Sequence, residues 1–299
     1  PYTTLFRSPL MMSEIYRAAD AKNIVRPMID RLFFDEKFDD IFGAEPSILL
    51  GKDNVSRREA ENYLLKWGGM PALLPEPEVD RRRWLKDYEY TYLERDLSDL
   101  ARLDDLEPFR KFQKLAALRS GQLLSYSELA RDAGVSVDTA RRYLEYLKIS
   151  YQTFLLQPFY QNITSTVIKT PKLYWVDIGI LRHLCGLSTE ISGPLYETLV
   201  VGEIIKWMKT MQRDGEVYFY RTRSGLELDL LLQTESGIVG MEIKSRSTVA
   251  MGDIGSMKDV AAGLGKKWRG GIVIYRGDEI KKLDPKNRIW AVPSHRLFI

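Results

Sequence analysis

Acidic and basic side chains recur at two-residue spacing in the last third of this 299-residue chain. Glu227 and Asp229 are two positions apart, so their side chains share one face of a predicted strand. Glu242 and Lys244 have the same spacing in the next predicted strand. If these strands are neighbours, Asp229, Glu242 and Lys244 lie side by side. Glu197, on the helix predicted before them, then completes a four-residue catalytic cluster.

Carboxylates brought this close together need a counter-charge. Two of them about 4 Å apart repel by about 4 kcal/mol at an effective dielectric near 20. Oxygen ligands from Glu197, Asp229 and Glu242 suit Mg²⁺ or Mn²⁺ and not zinc. Such a metal ion would activate water for phosphodiester cleavage, and Lys244 would orient that water or stabilise the developing charge. The alternative interpretation is a network of ion pairs on a sheet, without catalysis.

Turn residues and alternation of apolar and polar side chains predict the elements that position this cluster. Gly225 and the run 234–237 separate three strand-like segments. The predicted order is α-β-β-β-α-β with one further strand at the end. Its ranges are helix Leu195–Met211, strands Val217–Tyr220, Leu226–Gln233 and Ile238–Lys244, helix Met251–Gly263, and strands Gly271–Tyr275 and Ile289–Val292. A strand at Lys172–Asp177 and a helix at Ile178–Leu184 precede them.

The middle of the chain carries the pattern of a helix-turn-helix. Ser125 begins a short helix through a capping box, Gly134 ends it, and Ser136 caps a second helix. Strand-like stretches at Tyr151–Leu156 and Ile163–Ile168 would supply a wing. The pattern therefore predicts a winged helix.

Four arginines are the candidate nucleic-acid contacts. Arg141 and Arg142 lie between the apolar positions of the second helix, so at least one should face solvent and reach a groove or a phosphate. Arg221 and Arg223 lie just before the acidic strand, where they would grip phosphate. The alternatives are a winged helix that serves only in packing and a pair of exposed hairpin charges.

The first hundred residues predict helices and a charged surface. A helix at Arg57–Trp67 is stopped by Gly68, and a long charged helix is predicted over Asp80–Leu103. Acidic residues balance basic ones along that helix, which favours a solvated, ion-paired face over a DNA-binding arm. Pro1–Ser8 matches the in-frame translation of a common sequencing adapter, so we interpret it as an artefact and exclude it from the fold.

The composition excludes several classes of protein and site. The formal net charge of +3 is too small for a strongly basic nucleic-acid binder, so any DNA contact must come from a local patch. Cys185 is the only cysteine, which excludes an internal disulfide and a cysteine-based zinc site. The two histidines, His183 and His295, give little basis for a metal centre or a catalytic triad. No apolar run approaches the roughly 18 residues of a membrane-spanning helix, and we expect a cytoplasmic protein without membrane contact.

The order of acidic residues resembles a known superfamily of nucleases. Tyr196 and Glu197, then Asp229, then the run Glu-Ile-Lys-Ser-Arg at 242–246 look like the PD-(D/E)xK superfamily, and the run is similar to archaeal Holliday-junction resolvases. The resemblance implies a restriction-endonuclease-like fold and Mg²⁺ or Mn²⁺ as cofactor if the site is active. It implies DNA as the substrate.

A second resemblance covers nearly the whole chain. It is to the domain of undescribed function that follows the ATPase in bacterial and archaeal AAA-type ATP-binding proteins. The segments that carry it are 88–100, 120–124, 171–179, 218–222 and 242–244. This chain has no Gly-x-x-x-x-Gly-Lys-Ser/Thr, and Gly51-Lys52 lacks the upstream glycine and the following hydroxyl. The resemblance therefore implies ATP binding only in an ATPase domain that precedes this sequence.

These observations together predict an α+β, multi-domain chain. Residues 9–79 are interpreted as the lid-like end of an ATPase, 80–170 as a helical linker and winged helix, and 171–299 as an α-β-β-β-α-β restriction-endonuclease-like domain. Three functions remain open: a catalytically idle nuclease-like module that binds nucleic acid or a protein partner, a Mg²⁺-dependent DNA endonuclease, and a structural interaction domain. The sequence does not indicate an oligomeric state.

Overall fold

The computed structural model describes residues 8–19, 26–34, 36–91, 106–160, 168–187 and 190–299. The interpretation of Pro1–Ser8 as an artefact falls almost wholly outside these ranges. The same holds for the part of the predicted charged helix beyond residue 91. Among the described residues, no helix combines the length and the apolar character needed to span a membrane.

The described chain has a mixed α and β architecture, in which helices form the first part and strands mixed with helices follow from Gln122 onward. The helices are α1 (Met12–Ala19), α2 (Met28–Arg31), α3 (Phe38–Gly43), α4 (Lys52–Trp67), α5 (Glu78–Thr91), α6 (Glu107–Leu118), α7 (Tyr126–Ala133), α8 (Val137–Ile149), α9 (Ile178–Cys185), α10 (Gly193–Thr210), α11 (Gly255–Leu264) and α12 (Ser294–Leu297). The strands are β1 (Gln122–Leu123), β2 (Thr153–Leu156), β3 (Lys172–Trp175), β4 (Glu216–Arg221), β5 (Glu227–Thr234), β6 (Gly237–Lys244), β7 (Trp268–Tyr275), β8 (Lys281–Asp284) and β9 (Ile289–Pro293).

Local capping explains the helix-turn-helix that the sequence predicted. Ser125 Oγ accepts a hydrogen bond from the backbone N–H of Glu128 at 3.3 Å, and this cap begins α7. Gly134 ends α7 in the left-handed region with φ of 76°. Ser136 Oγ then accepts from Thr139 N at 3.1 Å and begins α8.

The wing sheet contains a strand that the sequence assigned to the nuclease-like domain. A three-stranded antiparallel sheet has the order β1-β3-β2, and Phe154 of β2 pairs with Tyr174 of β3. The predicted second strand, Ile163–Ile168, lies outside the described residues except for Ile168, which donates its backbone N–H to Arg221 O at 3.0 Å. The strand Lys172–Trp175, predicted as part of the nuclease-like domain, therefore belongs to the sheet of the wing.

The larger sheet has six strands in the order β4-β5-β6-β7-β9-β8. Strands β6, β7 and β9 are mutually parallel, and the remaining pairs are antiparallel. The predicted order of helix α10, strands β4 to β6, helix α11 and strand β7 is present. One strand, β8, was missed because its sequence Lys-Lys-Leu-Asp at the sheet edge lacks an apolar alternation.

Both faces of this sheet are covered by apolar side chains. Val200 and Ile204 of α10 share one buried cluster with Ile243 and Ile272 of the sheet. Met257 of α11 belongs to a second buried cluster, with Leu231 and Val273. Because side chains alternate along a strand, the residues next to Ile243 point to the face opposite α10.

The end of α4 and the start of α9 meet in a close backbone contact that includes glycines. Asp177 Oδ1 accepts from Ile180 N at 2.9 Å as the cap of α9, and its Oδ2 accepts from Gly69 N at 2.8 Å. A Cβ on Gly179 would lie 2.0 Å from Trp67 O, so only glycine permits this approach.

Candidate functional site

The four residues of the predicted cluster line one cleft of about 880 Å³. Glu197 comes from the first turns of α10, Asp229 from β5, and Glu242 and Lys244 from the end of β6. The opposite wall comes from the winged helix, through residues 121–125 around β1 and through β3. The cleft therefore lies between the two parts of the chain that carry the nuclease-like and the helix-turn-helix patterns.

Strand pairing explains why Asp229 and Glu242 are neighbours. Leu230 pairs with Met241 in the antiparallel register of β5 and β6, so Asp229 and Glu242 are the residues that adjoin this last pair on the two strands. The backbone N–H of Ile243 donates to Asp229 Oδ2 at 2.8 Å, which holds this carboxylate against β6. Burial, followed by the charges of Glu197 and Glu242, raises the pKa of Asp229 well above its ordinary value.

Glu242 and Lys244 form an ion pair at the cleft wall. Lys244 Nζ donates to Glu242 Oε1 at 2.6 Å, and the lysine side chain remains 28% exposed. Burial raises the pKa of Glu242, and the bond from Lys244 opposes that rise. The other carboxylate oxygen, Glu242 Oε2, is buried and has no hydrogen-bond partner among the described residues. It is an acceptor that a water or a ligand in the cleft would satisfy.

Lys172 is the site residue that sequence reasoning missed. Its Nζ lies 3.0 Å from Glu197 Oε1 and 3.0 Å from Glu227 Oε1, and its side chain is only 4% exposed. Burial acts to lower the pKa of Lys172, but the surrounding carboxylates, Glu197, Asp229 and Glu227, raise it above the ordinary value. Lys172 is therefore a charged ammonium group inside the acidic cluster.

Tyr174 is a second missed residue on the same strand. Its hydroxyl donates to Glu197 Oε1 at 2.5 Å. Burial and the neighbouring Glu197 raise the pKa of Tyr174 well above its ordinary value, so the phenol stays a donor. The signal in the sequence was the alternation of Lys172 and Tyr174 in an otherwise apolar strand, which places both polar groups on one face.

The four candidate arginines lie in different surroundings. Arg221 lines the cleft and contacts Glu227 Oε2 at 3.3 Å, so it is already paired with a carboxylate. Arg223 is exposed in the turn between β4 and β5. Arg141 and Arg142 are both exposed on α8, and the Arg141 guanidinium lies 5.0 Å from the centre of the Tyr126 ring.

The carboxylates of the cleft do not fit a divalent metal ion in this arrangement. Within the described ranges, no three His, Cys, Asp or Glu side chains are grouped so that they could hold a metal. The reason is visible at Glu197, whose Oε1 already accepts hydrogen bonds from Lys172 and Tyr174. The unpartnered Glu242 Oε2 is the one feature of this cluster that favours a further cationic or donor group.

Two family models match consecutive parts of the chain. Residues 57–191 match the model described as "Domain of unknown function (DUF8612)", and residues 192–297 match "Domain of unknown function (DUF4143)". The boundary falls between α9 and α10. Lys172 and Glu197, which contact each other in the cleft, are therefore contributed by segments that match different models.

Two mycobacterial proteins are similar to this chain. They are the "Uncharacterized protein Mb2031c" of Mycobacterium bovis and the "Uncharacterized protein Rv2008c" of Mycobacterium tuberculosis, each 27% identical over 260 residues. The similarity covers 80% of this chain and 59% of each relative, so the chain spans about three fifths of the length of these relatives. No solved structure matches the chain significantly.

Proposed function

We propose that this chain is the nucleic-acid-binding part of an AAA-type ATP-binding protein, and that its nuclease-like cleft is catalytically idle. The winged helix and the restriction-endonuclease-like sheet domain act together on DNA. ATP is assigned to no residue of this chain and belongs to an ATPase domain of the full protein. The match of residues 192–297 to the DUF4143 model is consistent with such a protein.

One observation supports the proposal that the cleft is catalytically idle. Lys172 lies between Glu197 and Glu227, at 3.0 Å from each, where an active site would need Glu197 free for a metal ion. Lys244, the residue that would assist catalysis, is bonded to Glu242. The protein's own cations therefore occupy the positions next to Glu197, Glu227 and Glu242.

DNA contact is proposed through the winged helix, because its second helix exposes Arg141 and Arg142. Replacing both residues with alanine should weaken binding to duplexes of different sequence about equally. The slope of log affinity against log salt should become shallower by about 2, or about 1 for each lost phosphate contact. The measurement is a salt titration of duplex binding by fluorescence anisotropy.

The matched control is the double variant Arg82→Ala/Arg83→Ala, which removes the same charge from α5. Their side chains are 69% and 82% exposed. This control should keep the parent's affinity and salt slope. If the α8 variant behaves like the control, α8 is not part of a DNA interface. If the parent itself shows no binding to DNA, a protein-interaction role replaces the proposal.

A Mg²⁺-dependent endonuclease is the second candidate, favoured by the unpartnered Glu242 Oε2 and by the partly exposed Lys244 in an open cleft. The test is incubation of branched and linear DNA with the parent and with Lys244→Ala, in Mg²⁺ or Mn²⁺. We expect no cleavage by either protein. Metal-dependent cleavage by the parent that Lys244→Ala abolishes would contradict the idle cleft and establish the endonuclease.

A further inference from the structure

The packing of the wing sheet determines where the Lys172 side chain lies. Lys172 lies on β3, between β1 and β2, and its side chain extends to the cleft from a strand whose four residues are all buried. Its Nζ lies 5.5 Å from the centre of the Phe219 ring, on β4 of the larger sheet. Packing therefore fixes the ammonium group within the acidic cluster, although Lys172 lies on a strand of the wing sheet and Glu197 on helix α10.

The distances around Lys172 are those of an ammonium group and not of a metal ion. Its two carboxylate contacts, to Glu197 and Glu227, are both 3.0 Å. Metal–oxygen distances are about 2.0–2.1 Å for Mg²⁺ and about 2.3–2.6 Å for Ca²⁺. A metal ion in the place of the Lys172 ammonium group would therefore need both carboxylate oxygens to move closer to it.

The charges around Lys172 explain why a cation is required there. Glu197 and Glu227 contact it directly, and Asp229 interacts with it electrostatically. Three carboxylates without a cation would repel one another in this partly buried setting. Lys244, the other lysine of the cluster, is paired with Glu242.

We infer that Lys172 is a built-in cation that replaces a divalent metal ion in the nuclease-like cleft. The inference rests on the nuclease-like site of the proposed function but not on DNA binding. In the natural protein the ammonium group prevents Mn²⁺ or Mg²⁺ from binding between Glu197, Asp229 and Glu227. Removing the ammonium group turns the same carboxylates into a divalent-cation site.

The test is Mn²⁺ binding, measured through the electron paramagnetic resonance signal of free Mn²⁺, for the parent, Lys172→Met and Lys172→Arg. Lys172→Met should bind about one Mn²⁺ per chain, at least about tenfold more tightly than the parent, because a like charge has been removed from the site. Lys172→Arg keeps the cation and should resemble the parent. Adding Glu197→Gln to Lys172→Met should weaken binding by about 10-fold to 100-fold.

Three results would overturn the inference. Stoichiometric Mn²⁺ binding by the parent as tight as by Lys172→Met would show that Lys172 does not exclude a metal. A folded Lys172→Met without Mn²⁺ binding would show that the carboxylates do not form a metal site. If Lys172→Met is unfolded, Mn²⁺ should restore its circular dichroism signal, and failure to do so contradicts the inference. A parent that binds no DNA leaves these Mn²⁺ results unchanged and contradicts only the proposed function.

Discussion

Asp177 and Asp229 are two carboxylates with raised pKa values in very different surroundings. Asp177 is closed into the junction of α4 and α9, where two backbone N–H groups, from Ile180 and Gly69, donate to its two oxygens. Asp229 has one such bond, from Ile243, and faces other carboxylates at an open cleft. Burial is the largest cause of the raised pKa at both positions.

The comparison shows that a perturbed pKa does not identify a functional carboxylate. At Asp177 every hydrogen bond comes from the backbone, so the side chain is a structural connector between two helices. At Asp229 the neighbouring charges of Glu197 and Glu242 add to burial, and the cleft gives access to a ligand. Charge neighbours and access distinguish the two positions. The following predictions use this difference.

The largest expected effect is at the closed junction. Gly179→Ala should lower the free energy of unfolding by about 3 kcal/mol, because overpacking against rigid backbone cannot be relieved by side-chain movement. The added Cβ would lie 2.0 Å from Trp67 O. Denaturant unfolding followed by circular dichroism measures the change. Gly202→Ala is the control, since no atom lies within 4 Å of a Cβ built there; equal losses in both variants would contradict the role of the junction.

The same substitution at the two aspartates should act in opposite directions. Asp177→Asn should lower the free energy of unfolding by about 2 kcal/mol, because an amide cannot accept hydrogen bonds at both of its ends. Asp229→Asn keeps an acceptor for Ile243 and removes a charge from the carboxylate cluster, so it should raise stability by about 1 kcal/mol. Denaturation midpoints of both variants and the parent at pH 7 measure these changes. A loss of stability in Asp229→Asn would refute the repulsion argument.

The smallest expected effect is the pH dependence of the stability difference between Asp229→Asn and the parent. Because the folded-state pKa of Asp229 exceeds its ordinary value of 3.8, the folded state holds this proton more tightly than the unfolded state. Ionisation above pH 3.8 therefore costs stability, and the cost grows until the pH passes the raised pKa. The stability advantage of Asp229→Asn over the parent should increase with pH over this window and then level off. A gap that stays constant from acid to neutral pH would mean that Asp229 titrates normally.

Local patterns made most of the elements predictable. Ser125, Gly134 and Ser136 determine the ends of α7 and α8 through bonds that span three or four residues, so a window of sequence contains the whole cause. Gly68 ends α4 as the sequence predicted, with φ of 75°. In the same way, the two-residue spacing of Glu242 and Lys244 was enough to place them on one strand face.

Long-range packing was not predictable from these patterns. The sequence assigned Lys172–Asp177 to the nuclease-like domain, whereas Lys172–Trp175 pairs with β1 and β2 in the wing sheet. Lys172 was consequently not considered as a site residue. Nothing near it in the sequence indicates that its ammonium group reaches Glu197.

The sequence by itself determined which residues are available for chemistry and which of them share a face, because caps and strand alternation depend on neighbours in the chain. Only the tertiary structure decided which charged side chains contact one another. It brought Lys172 of the wing sheet between Glu197 of α10 and Glu227 of β5, and gave Asp177 a second backbone donor, Gly69, from a distant segment. The physical reason is that burial makes each carboxylate require a partner, and only the packing of whole sheets and helices determines whether that partner is a backbone N–H, a lysine or a ligand.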